Sequence, residues 1–338
     1  MSNHVELIKI AQKIAEPGKG ILAADESHKT IAKRFATINV ESTEENRRDY
    51  REMLFTAPDL GNYVSGVILF EETLGQKAKD GTPLSKVLLD QDILPGIKVD
   101  KGLVDLPFTE HEKVTQGLDG LAERLAQYYE MGARFAKWRA VFNITNDKPS
   151  ELAIHANAHA LARYAAFCQH AGLVPIVEPE VLMDGDHSLE RCSEVTEHVL
   201  HQVFHELESQ HVILEGMILK PSMVIPGTEH APASVEDVAR ETVKVLQRTV
   251  PSAVPSINFL SGGQSAELAT QHLNAMHTLH SDLPWYLSFS YGRALQQPSL
   301  DLWHGKADNV DNARAALTKR ARLNSEACLG KYTEAMES

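Results

Sequence analysis

Three lysines occupy positions where lysine is expensive: Lys98 in ILPGIKVD, Lys137 in ARFAKWRA and Lys220 in GMILKPSM. Each stands at the far end of an apolar run that reads as a buried strand. An ammonium group taken into a low-dielectric interior must be paired or give up its proton. A desolvated neutral amine is a nucleophile, and lysine is the side chain that forms Schiff bases with carbonyl substrates. Carboxylates that could serve as proton donors or acceptors end other runs, with Asp25 in GILAADE and Glu178 and Glu180 in LVPIVEPE.

The elements that must position these groups are short apolar runs alternating with longer segments of helical period. The runs span residues 20–26, 63–70, 93–100, 133–140, 173–180, 216–223, 256–263 and 286–293. Between them lie amphipathic stretches such as SLERCSEVTEHVLHQVFHEL and SVEDVARETVKVLQRTV, several opening on Ser or Asp. Near-continuous apolar strands alternating with helices imply a parallel sheet covered by helices, and eight strands suit closure into an α/β (β/α)8, or TIM, barrel. An open doubly wound sheet is the alternative. The 338 residues carry no Gly/Ser-rich linker or composition shift, so the expectation is one domain over 1–338 with extra N- and C-terminal helices. The stretch 27–62 reads as two helices.

In such a barrel the active site lies at the carboxyl ends of the strands. Residues two apart on a strand share a face, which pairs Asp25 with Ser27, Lys137 with Arg139, Glu178 with Glu180, Lys220 with Ser222 and Ser261 with Gly263. A single such charge reads equally well as a solvated strand end, and ion-pair networks also fill barrel interiors, so it is the convergence of several that locates a pocket. Ser261-Gly262-Gly263 and Ser290-Tyr291-Gly292-Arg293 end the last two strands, where these barrels bind phosphate through backbone N–H groups and a helix start. Arg293 adds a bidentate clamp.

Composition narrows the partners. A formal charge of −13 argues against nucleic acid and anionic membrane, leaving small molecules whose phosphates need a local positive cluster. Cys168, Cys192 and Cys328 have no disulfide or zinc spacing, which points to a reducing, cytoplasmic setting. MSNHVELIKIAQKIAEPGKG reads as a packing helix with Val5, Ile8, Ala11, Ile14 and Ala15 on one face, and not as a signal peptide. On that reading the Asn143-Ile144-Thr145 sequon is chance. No run is long enough to span a bilayer. His155/His159 and His201/His205 have the i, i+4 spacing that can share a metal ion, yet they lie mid-helix, far from the strand ends. No metal site is expected.

The segments GKGILAADES (18–27), STEENRRDYR (42–51), GVILFEETL (66–74), GIKVDKG (96–102), TQGLDGL (115–121), FAKWR (135–139), VPIVEPE (174–180), LKPSM (219–223), FLSGGQS (259–265), FSYGRALQ (289–296) and GKYT (330–333) occur in this order. Through nearly its whole length the chain resembles the class I, Schiff-base fructose-bisphosphate aldolases. That resemblance implies a TIM barrel, commonly a homotetramer, acting on phosphorylated ketoses and triose phosphates in glycolysis and gluconeogenesis. It implies neither metal nor organic cofactor, because the iminium is the electron sink.

Position by position, the resemblance makes Lys220 the Schiff-base lysine, Glu178 the acid/base of carbinolamine formation and dehydration, and Asp25 the acceptor of the C4 hydroxyl proton. Lys137 holds charge and orientation between them. Ser261, Gly262, Gly263, Ser290, Gly292 and Arg293 would hold one phosphate. Ser27, Thr30, Arg34 and Lys98 lie nearer the other, and Arg139 and Glu180 support the reacting groups.

Two departures stand out. His28-Lys29 replaces the family's Thr-Gly, which is expected to add charge beside the distal phosphate. The chain also ends at Ser338, whereas animal members continue into a mobile tail with a terminal tyrosine that assists enamine protonation, a role for which Tyr332 is no obvious substitute. The leading reading is reversible cleavage of fructose 1,6-bisphosphate. The alternatives are a Schiff-base aldolase of shifted range (sedoheptulose bisphosphate or fructose 1-phosphate) and a slow member kept as a binding scaffold.

Overall fold

Eight parallel strands close on themselves in a computed structural model that describes residues 2–338. Ten strands are present among the described residues, eight of them in the barrel: β1 (Gly20–Ala24), β2 (Val64–Leu69), β3 (Leu94–Lys98), β4 (Leu103–Asp105), β5 (Lys113–Thr115), β6 (Phe135–Phe142), β7 (Val174–Val181), β8 (Ile218–Leu219), β9 (Ser256–Phe259) and β10 (Tyr286–Tyr291). The barrel runs β1-β10-β9-β8-β7-β6-β3-β2, and β4 and β5 form a separate antiparallel pair. This is the (β/α)8 barrel. The pair β4–β5 was not expected from sequence; at three residues each, its strands are too short to show a period.

The strands alternate between two apolar layers. Ile21, Ala23, Ile68, Phe135, Val174, Ile176 and Ile218 face the lumen in one cluster, while Leu22, Ala24, Val67, Leu69, Ala136, Trp138, Val177 and Leu219 join the layer under the helices. Phe135 fills the lumen so completely that a Cβ at Gly96 would lie 2.1 Å from its ring, which explains a glycine in mid-strand.

The N-terminal helix, Ser2–Ile14, seals the amino end of the barrel by packing Leu7, Ile10, Ala11 and Ile14 into the lumenal cluster. The buried face therefore differs from the expected one. Val5 is exposed, because the i, i+3, i+4, i+7 stripe begins at Leu7. The stretch after β1 forms two helices, His28–Ala36 and Glu44–Phe55, whose caps Ser27 and Thr43 accept the N–H of the third helical residue.

Six strands are shorter than the runs read from sequence, β8 and β9 most of all. β8 stops at Leu219 and β9 at Phe259, so Lys220, Ser222 and Ser261–Gly263 lie in the loops beyond. Pro221 has no N–H to continue the ladder, although the Lys220 N–H still donates to the Val177 carbonyl at 2.8 Å. Among the described residues no helix is long and apolar enough to cross a membrane.

Candidate active site

Strand alternation carries the polar groups inward. Asp25 continues the Ile21–Ala23 face, Lys137 and Arg139 continue from Phe135, Glu178 and Glu180 from Val174 and Ile176, and Lys220 from Ile218. These residues surround a cleft of about 910 Å³ at the carboxyl ends of the strands. Eight cationic side chains and six carboxylates line it, a local positive excess on a chain of charge −13.

At its base the charges interleave. Lys137 Nζ lies 2.7 Å from Asp25 Oδ2 and 3.4 Å from Glu178 Oε2, and Lys220 Nζ lies 3.4 Å from Glu178 Oε1. All four side chains are largely shielded from solvent. Burial works to raise the Asp25 carboxyl, but Lys137 and then Lys220 outweigh it and hold the group well below the usual carboxylate range. Burial likewise works against the Lys137 ammonium, and Asp25 and Glu178 hold it well above the ordinary lysine value. Among the described residues Glu178 Oε2 accepts no hydrogen bond; its near neighbour is the Lys137 ammonium at 3.4 Å. A primary amine, a carboxylate within reach of it and a second carboxylate fixed as an anion form a set suited to imine formation and to proton removal from a neighbouring hydroxyl.

Arg139 Nε donates to Glu180 Oε2 beside this group. Burial lowers the guanidinium, yet Glu180 more than compensates and keeps it above its ordinary value. Lys98 Nζ contacts Asp100 Oδ1 at 2.8 Å and the Asp100 carbonyl at 3.1 Å.

The upper walls are made of loops and helix starts. Gly262 and Gly263 have φ of +56° and +94°, a left-handed pair that turns the chain sharply after β9. The Gly263 carbonyl accepts Arg293 Nη2 at 2.9 Å, joining the β9 and β10 loops. The helix Arg293–Trp303 opens directly onto the cleft at Gly292, and the helix from His28 opens beside it at Ser27, so free backbone N–H groups face the space. Among the described residues the buried Ser290 hydroxyl has no hydrogen-bond partner.

Ser27, Thr30, Arg34, Lys98, Ser261, Gly262, Gly263, Ser290, Gly292 and Arg293, singled out from sequence, all line this cleft together with Asp25, Lys137, Arg139, Glu178, Glu180 and Lys220. Ser222 does not, since its hydroxyl donates to the Val181 carbonyl at 2.8 Å. The charge expected from His28-Lys29 is also absent from the lining: His28 Nε2 lies 3.1 Å from Glu72 Oε2, with its ring edge-on to Phe70. Tyr332 lies outside the cleft and donates its hydroxyl to Glu337 Oε1 at 2.9 Å.

Sequence reading missed Glu26 and Asp100, which also line the cleft. Glu26 is the neighbour of Asp25 and follows the opposite strand parity, and no sequence signal marks it, because Arg34, Arg51 and Gln296, which hold it, come from three separate helices. The His155/His159 spacing is taken up by Glu206, 3.3 and 3.0 Å from the two Nδ1 atoms. Among the described residues no cluster of three His, Cys, Asp or Glu is arranged to hold a metal.

Comparison with known proteins points to one family. The family pattern described as Fructose-bisphosphate aldolase class-I matches residues 6–338. The chain is 59% identical over 327 residues to fructose-bisphosphate aldolase 6, cytosolic, of Arabidopsis thaliana, covering 97% of this chain and 91% of that one. It is 57% identical over 329 residues to the probable fructose-bisphosphate aldolase class 1 of Xanthomonas campestris pv. campestris, covering 97% and 98%. The Plasmodium falciparum fructose-bisphosphate aldolase, solved in complex with TRAP and a small-molecule inhibitor, superposes with a TM-score of 0.97 at 54% identity, covering 98% of this chain and 96% of that one. The fold is that of a (β/α)8-barrel lyase. The chain belongs to the class-I fructose-bisphosphate aldolase family.

Proposed function

We propose that this protein catalyses the reversible cleavage of fructose 1,6-bisphosphate to dihydroxyacetone phosphate and glyceraldehyde 3-phosphate through an imine on Lys220. The single observation that carries the reading is the run Lys220–Glu178–Lys137–Asp25 at the base of a cleft walled by two helix starts.

The Lys220 amine adds to the C2 carbonyl carbon, and the displaced proton passes to the new hydroxyl through Glu178. Glu178 then protonates that hydroxyl, water leaves and the iminium forms. Asp25, an anion held so by Lys137, removes the C4 hydroxyl proton. The C3–C4 bond breaks, its electrons move into the iminium to give an enamine, and glyceraldehyde 3-phosphate departs. Protonation at C3 and hydrolysis of the imine release dihydroxyacetone phosphate. The iminium nitrogen supplies the electron sink that a metal supplies in other aldol cleavages.

The phosphates are read as bound by Ser261, Gly262, Gly263, Ser290, Gly292 and Arg293 at one end and by Ser27, Thr30 and Lys98 toward the other. Arg34, grouped from sequence with the second set, also stands against Gly292 of the first, where a Cβ would lie 3.7 Å from its Nη2. Arg139, paired with Glu180, supports the reacting groups from the lumen. The chain is read as one barrel domain over 1–338, as a homotetramer in keeping with the family resemblance, and as cytoplasmic like the cytosolic Arabidopsis relative. A coupled assay tests the reading: cleavage should proceed unchanged in EDTA and be lost in Lys220→Met. Inhibition by EDTA, or activity in Lys220→Met, contradicts it.

A further inference from the structure

Glu26, just past the end of β1, lines the cleft, yet it is only 8% exposed and its carboxylate sits where three elements meet. Its Oε1 takes Arg34 Nη1 at 2.6 Å and Gln296 Nε2 at 2.8 Å, and its Oε2 takes Arg51 Nη2 at 2.8 Å. Arg51 is 2% exposed and donates Nε to the Ala24 carbonyl at 2.9 Å. Gln296, fully buried, also donates to the Ala23 carbonyl at 2.7 Å and accepts the Tyr50 hydroxyl at 3.1 Å. The network therefore ties the end of β1 to the helices Glu44–Phe55 and Arg293–Trp303. Neither Arg51 nor Gln296 lines the cleft, whereas Arg34 does. The other end of the Arg34 guanidinium reaches the β10 loop, since a Cβ at Gly292 would lie 3.7 Å from Nη2.

The charge count gives this arrangement its meaning. Paired with Glu26 alone, Arg34 would be neutralised within the protein and held from the cleft by a charge-assisted bond. Arg51 shares the same carboxylate, and among the described residues it has no other carboxylate partner; its remaining contacts are neutral, the Ala24 carbonyl and the Tyr50 ring. One carboxylate between two guanidinium groups leaves an excess positive charge, and only Arg34 can present it to a ligand.

We propose that Arg51 and Gln296 are positioning residues for phosphate binding: through Glu26 they aim Arg34 at the Gly292 loop and keep its charge available to a substrate phosphate. This rests on the reading of the cleft as a phosphorylated-ketose site. Arg51→Gln leaves Glu26 to Arg34 alone, and Gln296→Met removes the amide that fixes the carboxylate.

The test is steady-state kinetics on fructose 1,6-bisphosphate with Arg51→Gln, Arg51→Lys, Gln296→Met, Arg34→Ala and the doubles on Arg34→Ala. Arg51→Gln is expected to raise KM about tenfold with kcat within about twofold, the loss of one charge-assisted contact. Arg51→Lys, which keeps the charge, should lose less, and Gln296→Met should raise KM a fewfold. In the Arg34→Ala background neither change should add anything. Unchanged KM in Arg51→Gln and Gln296→Met, or full additivity with Arg34→Ala, overturns the positioning role while leaving the phosphate reading intact. An unchanged KM in Arg34→Ala itself overturns both. Should Arg51→Gln not fold, Gln296→Met and its double carry the same test.

Discussion

Glu178 and Lys220 face one another between β7 and the loop after β8, with Oε1 3.4 Å from Nζ, and both side chains are buried. A carboxylate so placed can accept the lysine proton and return it to a departing hydroxyl without moving. Glu178→Gln keeps the shape and removes the proton transfer. It should lower kcat by about 10²- to 10⁴-fold and slow formation of the borohydride-trappable species in parallel, as measured by quench-flow.

Asp25→Asn should behave differently. Asp25 is assigned to bond cleavage, so the variant should still be trapped with dihydroxyacetone phosphate while cleavage of fructose 1,6-bisphosphate falls by about 10²-fold or more. Equal loss of trapping and cleavage would contradict the assignment.

The Asp25–Lys137 pair sets a pH window. A depressed carboxyl contributes stability above its ordinary value of 3.8 that is lost as pH falls, and a raised ammonium contributes stability below 10.5 that is lost as pH rises. The pair should therefore stay charged from about pH 4 to 10, and the acid limb of kcat should not move in Lys137→Arg. A limb that shifts with that change would show that Asp25 titrates within the working range.

The sequence exposed the barrel because its strands are apolar on both faces, and the cleft because each strand's inward parity ends in a charge or a turn. Parity explains why Asp25, Lys137, Glu178 and Lys220 meet. It cannot show Glu26, which follows the opposite parity and is read only once the helices bearing Arg34, Arg51 and Gln296 are folded over it. Ser222 shows the converse failure: two residues beyond Lys220, it no longer follows strand geometry, because Pro221 ends the ladder. Val5 looked buried on a helical wheel, yet only the packed barrel end shows that the stripe begins at Leu7.

Gly263 has φ +94°, and a Cβ there would lie 2.9 Å from Met183 Sδ. Gly263→Ala must strain the loop whose carbonyl holds Arg293, at about 1–2 kcal/mol. KM for the bisphosphate should rise about tenfold while imine trapping at saturating substrate is retained. A KM unchanged within twofold would remove this loop from the binding site.

His272 is buried, and burial alone pushes its imidazole down to about 4. The folded state binds the proton less well than the unfolded chain, so stability present above pH 6.5 is lost as pH falls toward 4, by ~3 kcal/mol. Urea midpoints of His272→Leu should depend less on pH over that interval than those of the parent protein. An equal slope in both would place the acid sensitivity elsewhere.

Borohydride reduction in the presence of dihydroxyacetone phosphate, with and without EDTA, followed by peptide mass mapping, tests imine chemistry most directly. A stable adduct on Lys220, formed equally in EDTA, is expected. No adduct, an adduct on Lys98 or Lys137, or one lost with EDTA would contradict covalent catalysis by Lys220.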